Sequence, residues 1–190
     1  SSLGYVSREP TRSDYLLDDR ANFDVTQDLV KPEQVLNLET GINMRTEKLS
    51  LDANVYLMEF RNEIMQTGEI NTYGATIKRN IEGTSYRRGI ELSLNYRPIK
   101  QLTFINQSAF STNRIRSYTQ AYDVYQDGEL LVEADGFTPL KVLRTYENTK
   151  PLLTPSVVIN QAIRIQPLDF LAIEVWGRYV GSMYLENTNQ

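Results

Sequence analysis

The sequence contains no cysteine and no histidine. Without cysteine there can be no disulfide framework and no thiolate metal site. Without histidine, the usual general base near neutral pH and the commonest metal ligand are both missing. Serine–histidine and cysteine–histidine catalysis are therefore excluded within the chain, and only carboxylate or lysine chemistry stays open. There is also no run of about twenty apolar residues, so no transmembrane helix is encoded. That absence does not bear on a membrane β-barrel, whose signal per strand is weak. Cations are in the minority: 20 Lys and Arg against 24 Asp and Glu leave a formal charge of −4. This balance argues against nucleic acid as a partner.

What the sequence does have is alternation. In Arg88-Gly89-Ile90-Glu91-Leu92-Ser93-Leu94-Asn95-Tyr96, the residues Ile90, Leu92, Leu94 and Tyr96 fall on one side of an extended chain. Gly89, Glu91, Ser93 and Asn95 fall on the other. Such a period of two marks a strand between an apolar and a wet environment. The pattern recurs. Leu36, Leu38, Thr40, Ile42 and Met44 face one way against Asn37, Glu39, Gly41, Asn43 and Arg45. A turn at Thr46-Glu47-Lys48 leads into Leu49, Leu51, Ala53, Val55 and Leu57, with Ser50, Asp52, Asn54 and Tyr56 opposite. Val157, Ile159, Ile163 and Ile165 form another apolar row. After Gln166-Pro167-Leu168-Asp169 come Leu171, Ile173, Val175 and Tyr179, with Gly177 on their side and Glu174, Trp176 and Arg178 opposite. The strand from Gln101 to about Arg116 alternates less cleanly, and its facing stays open at this stage.

The connections also follow a rule. Ser1 to Ser7 reads as a strand end, followed by a long polar segment to about Lys31-Pro32. A second polar loop runs from about Gln66 to Gly83, and a third from Ser117 to Leu153. Between them, turns at Thr46–Lys48, Pro98–Lys100 and Gln166–Asp169 are short. About seven strands thus alternate long and short connections, with the short ones at one end of the sheet. Bacterial outer-membrane barrels show this polarity, whereas a Greek-key sandwich does not. Strands of about thirteen residues exceed the globular norm, and about ten tilted residues span a bilayer core.

The alternative is a soluble all-β meander acting as a binding or structural module, for example for carbohydrate. Against it, nothing in the chain could cover the apolar side, and the other side carries charge at nearly every step. An arc of about seven strands has open edges, and its large polar inward residues suit a wide lumen. The expected fold is an all-β antiparallel up-and-down meander, an arc cut from a larger barrel. Such an arc on its own is expected to hide its apolar face against another copy or to pair edge to edge.

At this point the residues resemble the barrel of TonB-dependent outer-membrane receptors. The resemblance rests on Val6-Ser7-Arg8-Glu9-Pro10-Thr11-Arg12-Ser13-Asp14-Tyr15, then Lys31-Pro32-Glu33-Gln34 opening a strand that ends Leu38-Glu39-Thr40-Gly41. It continues with Asn80-Ile81-Glu82-Gly83-Thr84-Ser85-Tyr86-Arg87-Arg88-Gly89-Ile90-Glu91 and with Gly177-Arg178-Tyr179-Val180-Gly181-Ser182-Met183-Tyr184-Leu185-Glu186-Asn187-Thr188. These pieces stand in the order of the C-terminal half of such a receptor and cover nearly the whole chain. The resemblance implies that residues 1–190 are part of a barrel of roughly 22 strands, about strands 13 to 19, without the plug domain and the last strands. It implies a Gram-negative outer-membrane location, with lipid around the barrel. It also implies active uptake of a scarce extracellular ligand, with energy passed from the TonB complex through the plug. An iron–siderophore complex is the first expectation for the ligand, with a glycan or vitamin second. No cofactor, no metal and no catalytic residue is expected.

Ligands of such receptors are held by extracellular loops and the upper lumen wall. The candidates are accordingly Arg8, Arg12 and Tyr15 after the first strand, Tyr73 in the second long loop, and Arg114, Arg116, Tyr118 and Tyr122 opening the third. Arginine suits carboxylate- or phosphate-bearing ligands, and tyrosine suits aromatic or sugar faces. The bland reading of each is a solvated loop residue or an interfacial aromatic. Tyr96, Phe170 and Tyr184 read as interface girdle residues, and Trp176 as a lumen residue. Asp18-Asp19 and the Asp123 to Asp127 stretch could offer oxygens to calcium, but the EF-hand spacing is missing. Glu39 and Glu91 could be drawn as a glycosidase pair, but charged lumen walls explain them without catalysis.

Overall fold

The structure is a computed structural model describing residues 1–14, 30–70, 74, 76–81, 83–134, 136 and 139–189, without the side chains of Arg12 and residues 67–70. Its strands in chain order are β1 (Ser2–Arg8), β2 (Glu33–Arg45), β3 (Leu49–Arg61), β4 (Ile64–Ile70), β5 (Thr76–Asn80), β6 (Thr84–Ile99), β7 (Leu102–Asp123), β8 (Tyr125–Gln126), β9 (Glu129–Leu130), β10 (Lys141–Thr149), β11 (Val157–Leu168) and β12 (Leu171–Val180). The main sheet runs β1-β2-β3-β6-β7-β11-β12, a meander with every pair antiparallel. It does not close on itself, and β1 and β12 form its edges.

The registers turn the alternation of each strand into continuous rows. Thr40, Val55, Ile90, Phe110 and Val157 stand side by side across β2, β3, β6, β7 and β11. Ile42, Ala53, Leu92, Ser108, Ile159 and Tyr179 make the next row on the same face. On the other face, Asn43, Asp52, Ser93, Gln107, Asn160 and Arg178 line up in the same way. The apolar rows meet no second layer: Ile42 is 67% exposed, Ile90 51% and Val175 66%. Among the described residues the buried apolar cluster is only Ile81, Ile115 and Tyr118, with Met65 and Tyr146 against it. This is an outward apolar face rather than a core. The polar face is the hollowed one, holding a groove of about 340 Å³ lined by Asp52, Asn54, Glu91, Ser93, Gln107 and Asn160 among others.

The facing of β7 follows from pairing rather than composition. Because Ile90 pairs with Phe110 and Tyr96 with Phe104, the even-numbered residues of β7 from Leu102 to Arg114 share the apolar face of β6. Asn106 and Ser108 lie on that face too, bridged by a 3.0 Å Ser108 Oγ to Asn106 Oδ1 hydrogen bond. These two polar residues in the apolar row are what blur the alternation in the sequence.

The short turns gather at one rim. Thr46 Oγ1 accepts the Leu49 N–H at 3.1 Å and closes the first. The other two share a design: Pro98 and Pro167 each fall where the register slips, between Tyr96 and Ile99 and between Ile165 and Leu168. Proline has no N–H to give a ladder, so it is tolerated where pairing is already broken. Neighbouring turns are tied by Arg97 N–H to Lys48 O and Gln166 N–H to Gln101 O, each 2.7 Å. Just above this rim, Tyr96 and Phe104 stack on the apolar face with centroids 6.4 Å apart.

Two of the long connections hold more structure than their sequences suggest. The 62–83 segment is not a plain loop but contains the β4–β5 hairpin, a separate small sheet. In the third excursion, β7 continues to Asp123, and β10 returns along it from Lys141↔Asp123 to Thr149↔Ile115. Polar residues conceal both elements, since a ladder outside an apolar environment needs no apolar face to form.

Candidate functional site

At the rim of the long excursions, a cleft of about 460 Å³ opens between the end of β1, the β4–β5 hairpin, β6 and the segment leading to β11. Its polar lining includes Arg8, Thr11, Asp14, Lys78, Arg87 and Asn187, and its apolar lining Ile64, Met65, Pro151 and Leu152.

Asp14 is the anchor of one wall. It closes a single 3-10 turn at Arg12–Asp14 and is only 3% exposed. Its Oδ2 accepts hydrogen bonds from the Thr11 N–H and the Thr11 hydroxyl, both at 2.8 Å. Its Oδ1 takes one from Lys78 Nζ at 2.8 Å, and Arg8 Nη1 lies 3.9 Å away. Burial pushes the Asp14 pKa upward, but the Lys78 and Thr11 bonds outweigh it and hold the carboxyl below its ordinary value. Arg8 also reaches Glu33, its cross-strand partner, at 3.4 Å, and the same carboxylate accepts the Ile64 N–H at 3.2 Å.

The opposite wall rests on Glu63. This buried carboxylate accepts from the Ser85 hydroxyl and from Arg87, whose guanidinium lies 4.2 Å over the Phe60 ring. Asn80 fastens the hairpin to the barrel by donating to Lys31 O at 3.0 Å while accepting from Lys31 N–H at 2.6 Å. Near the chain end, Asn187 and Asn189 pin the segment before β11. Leu152 N–H donates to Asn187 Oδ1 at 3.0 Å, and Asn189 Nδ2 donates to Lys150 O at 2.8 Å. The lining is thus fixed by polar clamps rather than by an apolar core. It presents Arg8, Lys78 and Arg87 to the opening, with Asp14 as the carboxylate among them.

Of the residues singled out in the sequence, Arg8 lines the cleft. Arg12 lies in the 3-10 turn with its side chain undescribed, and Tyr15 and Tyr73 fall outside the described residues, as does Asp18-Asp19. Tyr118 is buried beside Ile115, and its hydroxyl donates to Gln66 O at 2.6 Å. Tyr122 shares a 2.9 Å hydrogen bond with the Tyr146 hydroxyl, and Arg144 lies 5.6 Å from its ring centroid. Arg114 pairs with Tyr86, and Arg116 Nη2 lies 3.4 Å from Glu59, both on the face that carries Ile90 and Phe110 lower down. The structure therefore separates these two arginines from the cleft. Among the described residues, no group of three or more carboxylates could hold a metal ion. Asp14, Glu63, Lys78 and Arg87 were not singled out from the sequence. Their only sequence signal is position: each lies within a few residues of a strand end at the long-excursion rim. Tyr184, read as a girdle residue, sits at that rim too, with Lys150 Nζ 5.9 Å from its ring centroid. Trp176 stays on the polar face, opposite Ala162.

The family described as "TonB dependent receptor-like, beta-barrel" matches residues 4–188. No curated protein matches the chain. Among solved structures, the copper transporter OprC superposes with a TM-score of 0.62 at 14% identity, over 97% of this chain and 24% of that one. The FrpB iron transporter from Neisseria meningitidis superposes with a TM-score of 0.54 at 17% identity, over 94% and 24%. The chain therefore spans about a quarter of the length of these transporters.

Proposed function

The chain belongs to the TonB-dependent receptor β-barrel family, and from that premise we propose that it forms part of the wall of a Gram-negative outer-membrane transporter. In this reading the apolar rows face lipid and the hollowed polar face lines the lumen. The whole protein takes up a scarce extracellular ligand, with energy passed from the TonB complex through a plug domain. No catalytic residue is assigned, and transport is the activity. An iron–siderophore complex is our first ligand class, and a glycan or vitamin the second.

The observation that carries the ligand class is the donor set of the rim cleft. Arg8, Lys78 and Arg87 line it beside Asp14, and their other partners, Glu33 and Glu63, are not part of its lining. Cations held in place by such partners suit an anionic chelate, whose oxygens compete for the same donors. Arg12, Tyr15 and Tyr73 belong to the same excursions and are proposed to complete the contacts.

The test uses the full-length parent in detergent, titrated with ferric catecholate, hydroxamate and carboxylate chelates while tryptophan fluorescence is followed. One of these classes is expected to bind, and Arg8→Gln combined with Lys78→Gln is expected to weaken it about tenfold. Binding of neutral glycans alone would overturn the iron assignment. A parent that stays monodisperse in plain buffer and never partitions into outer-membrane preparations would overturn the transporter reading.

A further inference from the structure

The polar face of β6 carries an arginine toward each end. Arg87 lines the rim cleft, and Arg97 lies ten residues further along the same strand, on the same face, at the short-turn rim. At about 3.3 Å per residue the two stand about 33 Å apart, too far for one small ligand to touch both. Around Arg97 the polar face is hollowed a second time. A cavity of about 270 Å³ is lined by Arg97, Lys100 and Arg164 together with Asn95, Gln101 and Thr103. It lies where the ladder breaks, beside the register slips between Tyr96 and Ile99 and between Ile165 and Leu168.

Three cations and no carboxylate line this cavity. Arg97 is oriented by its own turn, its Nη2 and Nε donating to Lys100 O at 2.8 and 3.3 Å. A neutral carbonyl oxygen fixes the guanidinium without cancelling its charge. Glu174 is the cross-strand neighbour of Arg164, yet among the described residues neither Arg164 nor Lys100 makes an ion pair. The wall between the two arginines of β6 has the opposite sign. Glu39 stands in the row of Gly89, Glu91 follows on β6 itself, and Asp52 stands beside Ser93. An anion is repelled by this acidic belt and gathers at the cationic ends. A hollow lined by one sign of charge concentrates its counter-ion, and the guanidinium fork matches the two oxygens of a carboxylate or phosphate.

We propose that Arg97, Lys100 and Arg164 form a second anion site on the exit side of the lumen, separate from the rim cleft. It takes one carboxylate or phosphate group, with Arg97 and Arg164 as the forked donors and Lys100 as the point charge. The proposal rests on the lumen reading above, and it gives an anionic ligand a station below the acidic belt.

The test is equilibrium dialysis of the full-length parent in neutral detergent against radiolabelled citrate. The expected result is two bound citrates, of which R8Q/K78Q removes the one at the rim and R97Q/R164Q weakens the other at least about tenfold. Heat-modifiable migration on gels confirms that each variant is folded. If R97Q/R164Q fails to fold, R164Q alone is read in its place and must weaken the same site. An unchanged count in R97Q/R164Q overturns the proposal, and a simultaneous rise in planar-bilayer conductance would assign the cluster to holding the plug instead. Loss of the site in chloride at about 0.15 M marks an adventitious ion only and overturns it too. Loss of all binding in R8Q/K78Q overturns the exit site and leaves the rim cleft standing. A single citrate removed only by R97Q/R164Q does the reverse: the exit site stands and the anion reading of the cleft falls. A parent that needs no detergent overturns the lumen reading itself.

Discussion

Tyr56 closes over Gly89 across the β3–β6 ladder: a Cβ at Gly89 would lie 2.8 Å from the Tyr56 hydroxyl oxygen and 2.5 Å from the Phe110 carbonyl oxygen. The glycine therefore gives space to an aromatic side chain on the polar face, and its backbone approaches β7 too closely for any side chain.

Gly89→Ala is accordingly expected to destabilise the barrel by about 1–3 kcal/mol, the range for forcing a methyl group into occupied space. Urea unfolding of the full-length parent in lipid vesicles measures it. Adding Tyr56→Ala frees the ring's space but leaves the Phe110 carbonyl contact, so it is expected to relieve only part of the loss.

The two faces of β6 differ in what they tolerate. Leu92→Arg puts a charge in the middle of the outward rows and is expected to cost about 2–4 kcal/mol of vesicle-inserted stability. Ser93→Arg, on the groove side beside Asp52 and Gln107, is expected to cost less than about 1 kcal/mol. Equal losses at the two positions would contradict the assignment of faces.

Asp14 gives the rim a pH dependence at low pH. Its pKa is lowered from 3.8 by the Lys78 and Thr11 hydrogen bonds, which outweigh burial. A carboxylate depressed on folding contributes in full above its ordinary pKa and loses that contribution as pH falls through the folded value. Protection of the Thr11–Asp14 backbone amides from hydrogen exchange is expected to hold at neutral pH and drop below about pH 3.8. Asp14→Asn is expected to lose about 1.5–3 kcal/mol of local stability at pH 7.

The Tyr122–Tyr146 pair acts at the other end of the scale. Burial and the Tyr146 hydroxyl raise the Tyr122 pKa from 10.0 to about 12. For an acid whose pKa rises on folding, the neutral form is the one stabilised. Its contribution is therefore complete below pH 10 and is lost between pH 10 and about 12. Ultraviolet titration of tyrosinate is expected to lose a late-ionising phenol on Tyr146→Phe, as the Tyr122 phenol moves back toward 10.

The sequence by itself determined the rows, their two faces and the alternation of long and short connections. These follow from local chemistry: a strand reverses facing at each residue, so the order of apolar and polar side chains writes the two surfaces directly. Pro98 and Pro167 likewise announce their turns because each removes a donor. The open facing of β7, the β4–β5 hairpin and the return of β10 along β7 were settled only by tertiary pairing. So was the rim cleft, where Arg8, Glu63, Lys78, Arg87 and Asn187 come together from distant parts of the chain. Such contacts depend on register summed over several strands, and a polar residue at a strand end carries no mark of the partner it will meet. Arg114 and Arg116 show the same limit: their residue type suited an anion in either location, and only their pairing with β6 turned them toward the outside.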